Sequence, residues 1–184
     1  RQKIAELEKS IRAELAGGRQ PEQAHILCLA SYKPLHDCEW IDQLATTSVL
    51  EEILNRQIYE PKEEEKLKAT IPKLSEPNDV VSTLVRDQYE TNPYPRWINL
   101  RLNKPSSVRK ILERLKLRTF DEKIKTVRHP EILVAGCGTG QHSIMVASRF
   151  RDSKVLAVDL SLSSLAFAIR RSNELAVDNI NYLQ

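Results

Sequence analysis

A glycine-rich segment that follows an apolar run constrains this chain more than any other feature. The segment is Gly136-Cys137-Gly138-Thr139-Gly140, and the run before it is Ile132-Leu133-Val134-Ala135. A second apolar run, Val155-Leu156-Ala157-Val158, ends at Asp159, 19 residues after Gly140. Short apolar runs bounded by turn residues are typical of strands buried on both faces of a parallel sheet. The pattern therefore predicts a strand, a glycine turn, a connecting helix and a second strand.

The residues around these strands continue the same alternation. Residues 143–150 show helical spacing between the two runs, and Ser161 is a candidate N-cap for a helix that extends to Leu175. A third strand is expected at 180–183. Strand and helix in strict alternation is the order of a doubly wound sheet. We predict an α/β fold: an N-terminal helical segment followed by the first half of a Rossmann-like doubly wound parallel sheet.

The chain before Glu131 is predicted to be mainly helical. Ile4, Leu7, Ile11 and Leu15 recur at helical spacing before a glycine pair. Further helices are predicted from Pro21 to Pro34, at 40–44 and at 49–58, after which Pro61 interrupts the helical pattern. After a loop at 74–78, a helix is predicted at 80–89 with Asn78 or Asp79 as its cap. Another is predicted from Ser106 or Ser107 to about Leu117. Prolines at 93 and 95 predict an extended segment there.

The charge of the chain is unevenly distributed. Between Arg96 and Arg128 there are eleven Lys or Arg against three acids, a local charge of +8 in a chain of net charge +3. Such a cluster can mark a nucleic-acid or other anionic partner. The alternative is the solvated face of a helix, because Val108, Ile111 and Leu115 would bury its other face.

The glycine segment and Asp159 are suited to binding a small ligand through its polar groups. Glycine lets the backbone approach a ligand closely, and the helix start behind it offers unpaired N–H groups. An acid at the end of the second strand can accept hydrogen bonds from ribose hydroxyls. A nicotinamide or flavin site would need glycine at position 141, where this chain has Gln141.

With this glycine spacing the sequence resembles the class I S-adenosylmethionine-dependent methyltransferases. The resemblance implies S-adenosylmethionine as cofactor and methyl transfer to an unidentified acceptor. In it the glycines hold the methionine part, Asp159 binds the ribose hydroxyls and Leu160 packs against the adenine. The implied cofactor-binding residues are Gly136, Cys137, Gly138, Thr139, Gly140, Asp159 and Leu160. No metal site is expected.

One position departs from that family. Two residues before the first glycine, where the family usually has an acid, this chain has Val134. A contact to the ammonium group of the cofactor is then lost or supplied by another residue. Val134 thus supports an alternative function: a non-catalytic helical scaffold or binding protein with a nucleoside-binding Rossmann-like domain.

A second resemblance extends over residues 25–184. The motif Asp87-Gln88-Tyr89-Glu90-Thr91-Asn92-Pro93-Tyr94-Pro95-Arg96-Trp97 is similar to bacterial proteins in which tetratricopeptide repeats precede a methyltransferase domain. Aromatic rings and planar arginines suit an anionic or planar ligand. The candidate substrate contacts are Arg86, Tyr89, Tyr94, Arg96 and Trp97. The alternative is an extended linker whose aromatic residues pack on the domain.

These resemblances imply a division of the chain into three parts. Residues 1–78 would be a helical segment, 79–130 a helical and extended connector, and 131–184 the N-terminal half of a cofactor-binding Rossmann-like methyltransferase domain. Catalytic groups in such domains generally follow later strands, so no catalytic residue is named and the chain alone is expected to be inactive. The acceptor is a protein, a small molecule or a nucleic acid, and helical repeats would offer a surface for a protein partner.

Three cysteines, Cys28, Cys38 and Cys137, make an odd count in a chain of 184 residues. A disulfide framework is therefore not expected. We expect free thiols in a reducing compartment. The sequence also has no apolar run of the length that a membrane span requires, so a membrane partner is not expected and the cytoplasm is the expected location.

Overall fold

The structure is a computed structural model that describes residues 2–74 and 79–184. The predicted loop at 74–78 and the candidate cap Asn78 lie outside the described residues, except for Leu74. The described residues form two compact units, one ending at Glu63 and the other running from Glu64 to Gln184. No helix in these described ranges has both the length and the apolar character needed to cross a membrane. The three-part division at 78 and 130 stays a prediction.

The first unit is helical, as predicted. Its elements are α1 (Gln2–Ala16), α2 (Gln23–Ala30), 3-10 turns at Leu35–Asp37 and Ile41–Gln43, α3 (Glu51–Leu54), a π-helical segment (Asn55–Tyr59) and the start of α4 (Glu60–Lys68). Its core is an apolar cluster that includes Ile11, Ile26, Leu29 and Leu50. Apolar residues at helical spacing thus pack against one another, as amphipathic helices require.

Two helical predictions for this unit are wrong. The stretch 40–44 contains a single 3-10 turn at Ile41–Gln43, a form that the chain adopts in short pieces. Pro61 does not interrupt the helix that precedes it, because helical structure continues without a break to the end of α4 at Lys68. Pro61 is the second residue of α4 and directly follows the π-helical segment, so the backbone hydrogen bonding around it differs from that inside a regular α-helix.

The second unit contains the parallel sheet. After the remainder of α4 come α5 (Val80–Thr91), α6 (Val108–Leu115), a 3-10 segment (Glu122–Thr126), β1 (Glu131–Ala135), α7 (Gln141–Arg149), β2 (Lys154–Val158), α8 (Leu162–Glu174) and β3 (Ile180–Leu183). The strands are parallel in the order β1-β2-β3. The predicted fold class is confirmed.

Three predicted helix caps of this unit are also confirmed. Asp79 accepts a hydrogen bond from the N–H of Ser82, Ser107 from that of Lys110, and Ser161 from that of Ser164. Each cap side chain satisfies an N–H group that has no partner within its own helix. Local sequence therefore sets where α5, α6 and α8 begin.

The prediction that the strands are buried on both faces is wrong, because side chains on one face of β1 and β2 are exposed. Side chains alternate along a strand, so Val134 and Val155 enter the apolar core while Leu133 and Leu156 are 65% and 40% exposed. The core cluster includes Leu165 and Ala168 of α8 and Ala147 of α7, so these two helices contribute to the same buried face.

Candidate functional site

A cavity of about 830 Å³ lies at the carboxyl edge of the sheet. The loop after β1 contributes Gly136, Cys137, Gly138 and Thr139 to its lining, and the end of β2 and its following loop contribute 158–161. The carboxyl ends of adjacent parallel strands are where open α/β sheets bind ligands. The remaining lining residues are Leu74, Val85, Arg86, Tyr89, Tyr94, Pro95, Gln141, His142, Ser164 and Gln184.

Asp159 joins the two loops that form the base of this cavity. Its Oδ2 accepts a hydrogen bond of 2.7 Å from the N–H of Gly138, and its Oδ1 accepts one of 3.0 Å from the N–H of Ser161. An ionised carboxylate has about four lone-pair sites, so each oxygen can accept a further hydrogen bond from a ligand. The predicted positions of Asp159 and Leu160 beside the glycine loop agree with the cavity lining.

The three glycines of the loop differ in what surrounds them. All have positive φ, at +65° for Gly136, +53° for Gly138 and +80° for Gly140. A Cβ added at Gly136 or Gly138 would meet no atom within 4 Å, so the backbone of both is open to the cavity. A Cβ at Gly140 would lie 2.5 Å from the Cβ of Ala168 in α8, and Gly140 does not line the cavity. Gly140 therefore allows close packing of the loop on α8, a different position from the ligand contact that was predicted.

These surroundings predict that alanine has different effects at two of the glycines. Gly138→Ala is expected to cost about 1–2 kcal/mol of stability because of its positive φ, and to reduce ligand binding by placing a methyl group in the cavity. Gly140→Ala adds overpacking against Ala168, for a total loss of roughly 2–5 kcal/mol. Urea unfolding monitored by Trp97 fluorescence in a Trp40→Phe background measures both losses. Equal losses for the two variants would contradict the assignment.

The candidate substrate contacts separate into two groups. Arg86, Tyr89 and Tyr94 line the cavity, and Tyr94 is 76% exposed. Arg96 and Trp97 do not line it. Arg96 donates two hydrogen bonds to Glu64, and Trp97 packs edge-on against Phe167 at a centroid distance of 5.7 Å. For Arg96 and Trp97 the structure agrees with the alternative in which the motif packs on the domain.

This packing also fixes the glycine loop. The indole Nε1 of Trp97 donates to the carbonyl oxygen of Thr139 at 3.1 Å. The hydroxyl of Thr139 donates to the carbonyl oxygen of Pro95 at 2.7 Å. Two hydrogen bonds in opposite directions therefore hold the loop against the segment that follows α5.

Sequence reasoning missed a buried ionic network next to this site. Glu64, in α4, is 7% exposed and accepts hydrogen bonds from Arg96 and from Arg170, which is 1% exposed. Arg170 also pairs with Glu174, and the guanidinium groups of Arg96 and Arg170 lie over the ring of Phe167. No spacing rule connects Glu64 and Arg170, because they are 106 residues apart.

A second missed group lies under the glycine loop. Tyr182, from β3, shares hydrogen bonds with Ser172 at 2.8 Å and with Ser143 at 3.5 Å. Ser143 in turn donates to the carbonyl oxygen of Gly140 at 2.9 Å. These three side chains support the glycine loop from the interior of the domain. The only sequence signal for this group was the predicted strand at 180–183, which contains Tyr182.

The thiol of Cys137 is a packing group in this loop. Burial, followed by the negative charge of Asp159, raises the pKa of Cys137 to about 12. A thiol with such a pKa is almost fully protonated at neutral pH and is a poor nucleophile. All three cysteines are free, as predicted, and Cys28 is exposed whereas Cys38 and Cys137 are buried.

This difference predicts selective thiol modification. At pH 8 an aromatic disulfide reagent is expected to modify Cys28 at least about 100-fold faster than Cys137, since burial and protonation both protect the latter. The absorbance of the released thiolate gives the rates. Cys28→Ser should remove the fast phase, and its persistence in that variant would show that a buried thiol is reactive.

Part of the basic stretch lines a second, smaller cavity of about 380 Å³. Its basic lining residues are Arg109, Lys125, Arg128 and Arg151. It also contains His129 and Asp152, which closely precede β1 and β2. This cavity therefore lies at the amino ends of the strands, whereas the larger cavity lies at their carboxyl ends.

The comparisons with known proteins match one part of this chain to a described family. Residues 132–184 match the model of the family described as methyltransferase domain. No curated protein matches the chain. This matched range contains β1 to β3, the glycine loop and Asp159.

Two solved structures are similar to the chain at low identity. One, from work on the conversion of a disulfide bond into a thioacetal group during echinomycin biosynthesis, is 18% identical, with 56% of this chain and 38% of that chain covered and a TM-score of 0.34. The other is coclaurine N-methyltransferase bound to N-methylheliamine and SAH, at 15% identity, with 97% and 43% covered and a TM-score of 0.31. This chain thus spans less than half the length of either. Its segment 132–184 is similar to methyltransferase domains.

Proposed function

We propose that this chain binds S-adenosylmethionine in the larger cavity and takes part in methyl transfer to an acceptor. The observation that carries the proposal is the position of Asp159. Its carboxylate lies at the end of β2 and accepts a hydrogen bond from the N–H of Gly138, whose backbone is open to the cavity. A carboxylate beside open main chain suits a ligand that has both ribose hydroxyls and an amino-acid part.

The residues of the cavity fit this cofactor. A volume of about 830 Å³ lies within the range of small-molecule sites. Gly136 and Gly138 would lie against the methionine part, because no side chain separates their backbone from the cavity. Asp159 would bind the ribose hydroxyls, and the side chain of Leu160 would pack against the adenine.

S-adenosylmethionine supplies an electrophilic methyl group bound to its sulfonium sulfur. The contribution of this chain is to bind and orient, because methyl transfer depends mainly on proximity and alignment of the reacting atoms. Arg86, Tyr89 and Tyr94 stand on the wall formed by α5 and the segment after it, and we assign the acceptor to that side. The acceptor in this proposal is a protein, a small molecule or a nucleic acid. The proposal also includes a protein partner that binds through upstream tetratricopeptide repeats.

One observation favours a second candidate function, a nucleoside-binding domain without catalysis. Val134 replaces the usual acid, and its side chain is buried in the apolar core, 7% exposed. A contact to the cofactor ammonium would then be weaker. This candidate predicts binding of S-adenosylhomocysteine by the full chain together with an absence of methyl transfer in the protein that contains it. Free thiols support the cytoplasm as the location of either function.

Isothermal titration of the full chain tests the proposal. We expect S-adenosylmethionine and S-adenosylhomocysteine to bind with micromolar dissociation constants and NAD to give no heat of binding. The NAD control is informative because Gln141 stands where a dinucleotide site needs glycine. Binding of NAD alone, or of none of the three, would contradict the proposed function.

A further inference from the structure

Helix α5 contributes to the wall of the cofactor cavity although it is poorly buried itself. Val85, Arg86 and Tyr89 of α5 line the cavity. None of its described residues is buried, and Val80 and Leu84 are largely exposed. A helix with few buried apolar contacts opens easily unless other interactions hold it. The position of this wall therefore depends on polar contacts.

The carboxylate of Glu90, in the last turn of α5, supplies such contacts. Its Oε2 accepts hydrogen bonds from the hydroxyl of Ser161 at 3.1 Å and from the N–H of Ser163 at 3.0 Å. Its Oε1 accepts one from the hydroxyl of Ser163 at 2.9 Å, and the ammonium group of Lys68 lies 3.5 Å away. Ser161 and Ser163 are the cap and the second residue of α8, whose amino end attracts a negative charge.

The electrostatics of Glu90 agree with a carboxylate that stays charged. Burial raises its pKa, but hydrogen bonds from Ser163 and Ser161 and the charge of Lys68 outweigh that effect. The net pKa of Glu90 is lowered. The contact therefore persists at neutral pH.

Ser161 connects this contact to the cofactor-binding loops. Its N–H donates to Asp159 and its hydroxyl donates to Glu90. Asp159 in turn accepts from the N–H of Gly138. A continuous series of hydrogen bonds thus runs from α5 through the start of α8 to the glycine loop.

We propose that Glu90 is a positioning residue for cofactor binding, which fixes α5 on the amino end of α8 and thereby holds Arg86, Tyr89 and Ser161 in place around the cavity. The inference rests on the proposed function. If the cofactor binds only when α5 is docked, then binding and docking stabilise each other by linkage. Loss of the Glu90 charge weakens both.

Glu90→Gln tests this inference because it removes the charge and one acceptor oxygen while keeping the size of the side chain. We expect the dissociation constant for S-adenosylhomocysteine to rise about tenfold. Amide hydrogen exchange in ligand-free α5 should become faster, while exchange in β1 to β3 stays at the wild-type rate. Ser163→Ala, which removes one donor from the opposite side of the contact, should give a smaller loss of affinity, roughly threefold.

Glu113→Gln is the matched control, since it makes the same chemical change at an exposed position of α6. It should leave both affinity and α5 exchange at wild-type values. If the contact is merely structural, amide hydrogen exchange in α5 becomes faster in Glu90→Gln but the dissociation constant does not change. That outcome overturns the inference. Wild-type affinity together with wild-type exchange in this variant overturns it as well.

The same experiment separates this inference from the proposed function. If the wild-type chain binds S-adenosylhomocysteine and Glu90→Gln binds it equally well, the function stands and the role of Glu90 is refuted. If the wild-type chain does not bind S-adenosylhomocysteine, the proposed function fails and the role in cofactor binding fails with it.

Discussion

Asp159→Ala is expected to abolish measurable binding of S-adenosylhomocysteine, with a loss of at least about 100-fold in affinity. The variant removes the acceptor for the proposed ribose hydroxyls. It also leaves the N–H groups of Gly138 and Ser161 without their partner, which disturbs both loops of the cavity. Isothermal titration of the full chain measures the loss.

Two further variants separate binding from stability at this position. Asp159→Asn keeps the shape of the side chain but only one acceptor oxygen, so one of the two backbone hydrogen bonds to this side chain is lost. We expect the affinity to fall at least about tenfold and the urea midpoint to fall less than in Asp159→Ala. Asp178→Ala makes the alanine change at an exposed aspartate outside the cavity lining and should bind normally. Wild-type affinity in Asp159→Ala would contradict the site.

Glu64→Ala is expected to cause a large loss of stability, about 3–5 kcal/mol, in the unit that contains the sheet. Glu64 pairs with two arginines, of which Arg170 is almost fully buried. Removing the carboxylate leaves the buried Arg170 with less compensation for its lost hydration. Urea unfolding followed by Trp97 fluorescence in the Trp40→Phe background reports on this unit, because Trp97 packs against Phe167.

The neighbouring glutamate provides the control for this prediction. Glu63→Ala changes an exposed residue of the same helix and should alter stability by no more than about 0.5 kcal/mol. Glu64→Gln keeps the side-chain length without the charge and should lose less than the alanine variant. Should Glu64→Ala match Glu63→Ala within error, the network would contribute little to stability.

The parts of this fold that depend on local sequence could be predicted. Short apolar runs indicated β1 and β2, and the caps Asp79, Ser107 and Ser161 were recognisable because a helix start needs a nearby acceptor. The glycine loop and Asp159 were predicted together because the order of strand, turn, helix and strand places them at one edge of the sheet.

Features that depend on distant residues could not be predicted. The spacing rules for strands and helices do not relate Glu90 to Ser163, which is 73 residues away. The exposure of Leu133 and Leu156 was missed because an apolar run does not show which face other elements cover. Gly140 was grouped with the ligand-contacting glycines because sequence shows the spacing but not the neighbouring Ala168.

A crystal structure of the full chain with S-adenosylhomocysteine tests the central claim most directly. We predict density for the ligand in the larger cavity, with both ribose hydroxyls within hydrogen-bond distance of the Asp159 carboxylate and the amino-acid part against Gly136 and Gly138. Ligand density elsewhere, or a ribose that does not contact Asp159, would contradict the proposed site.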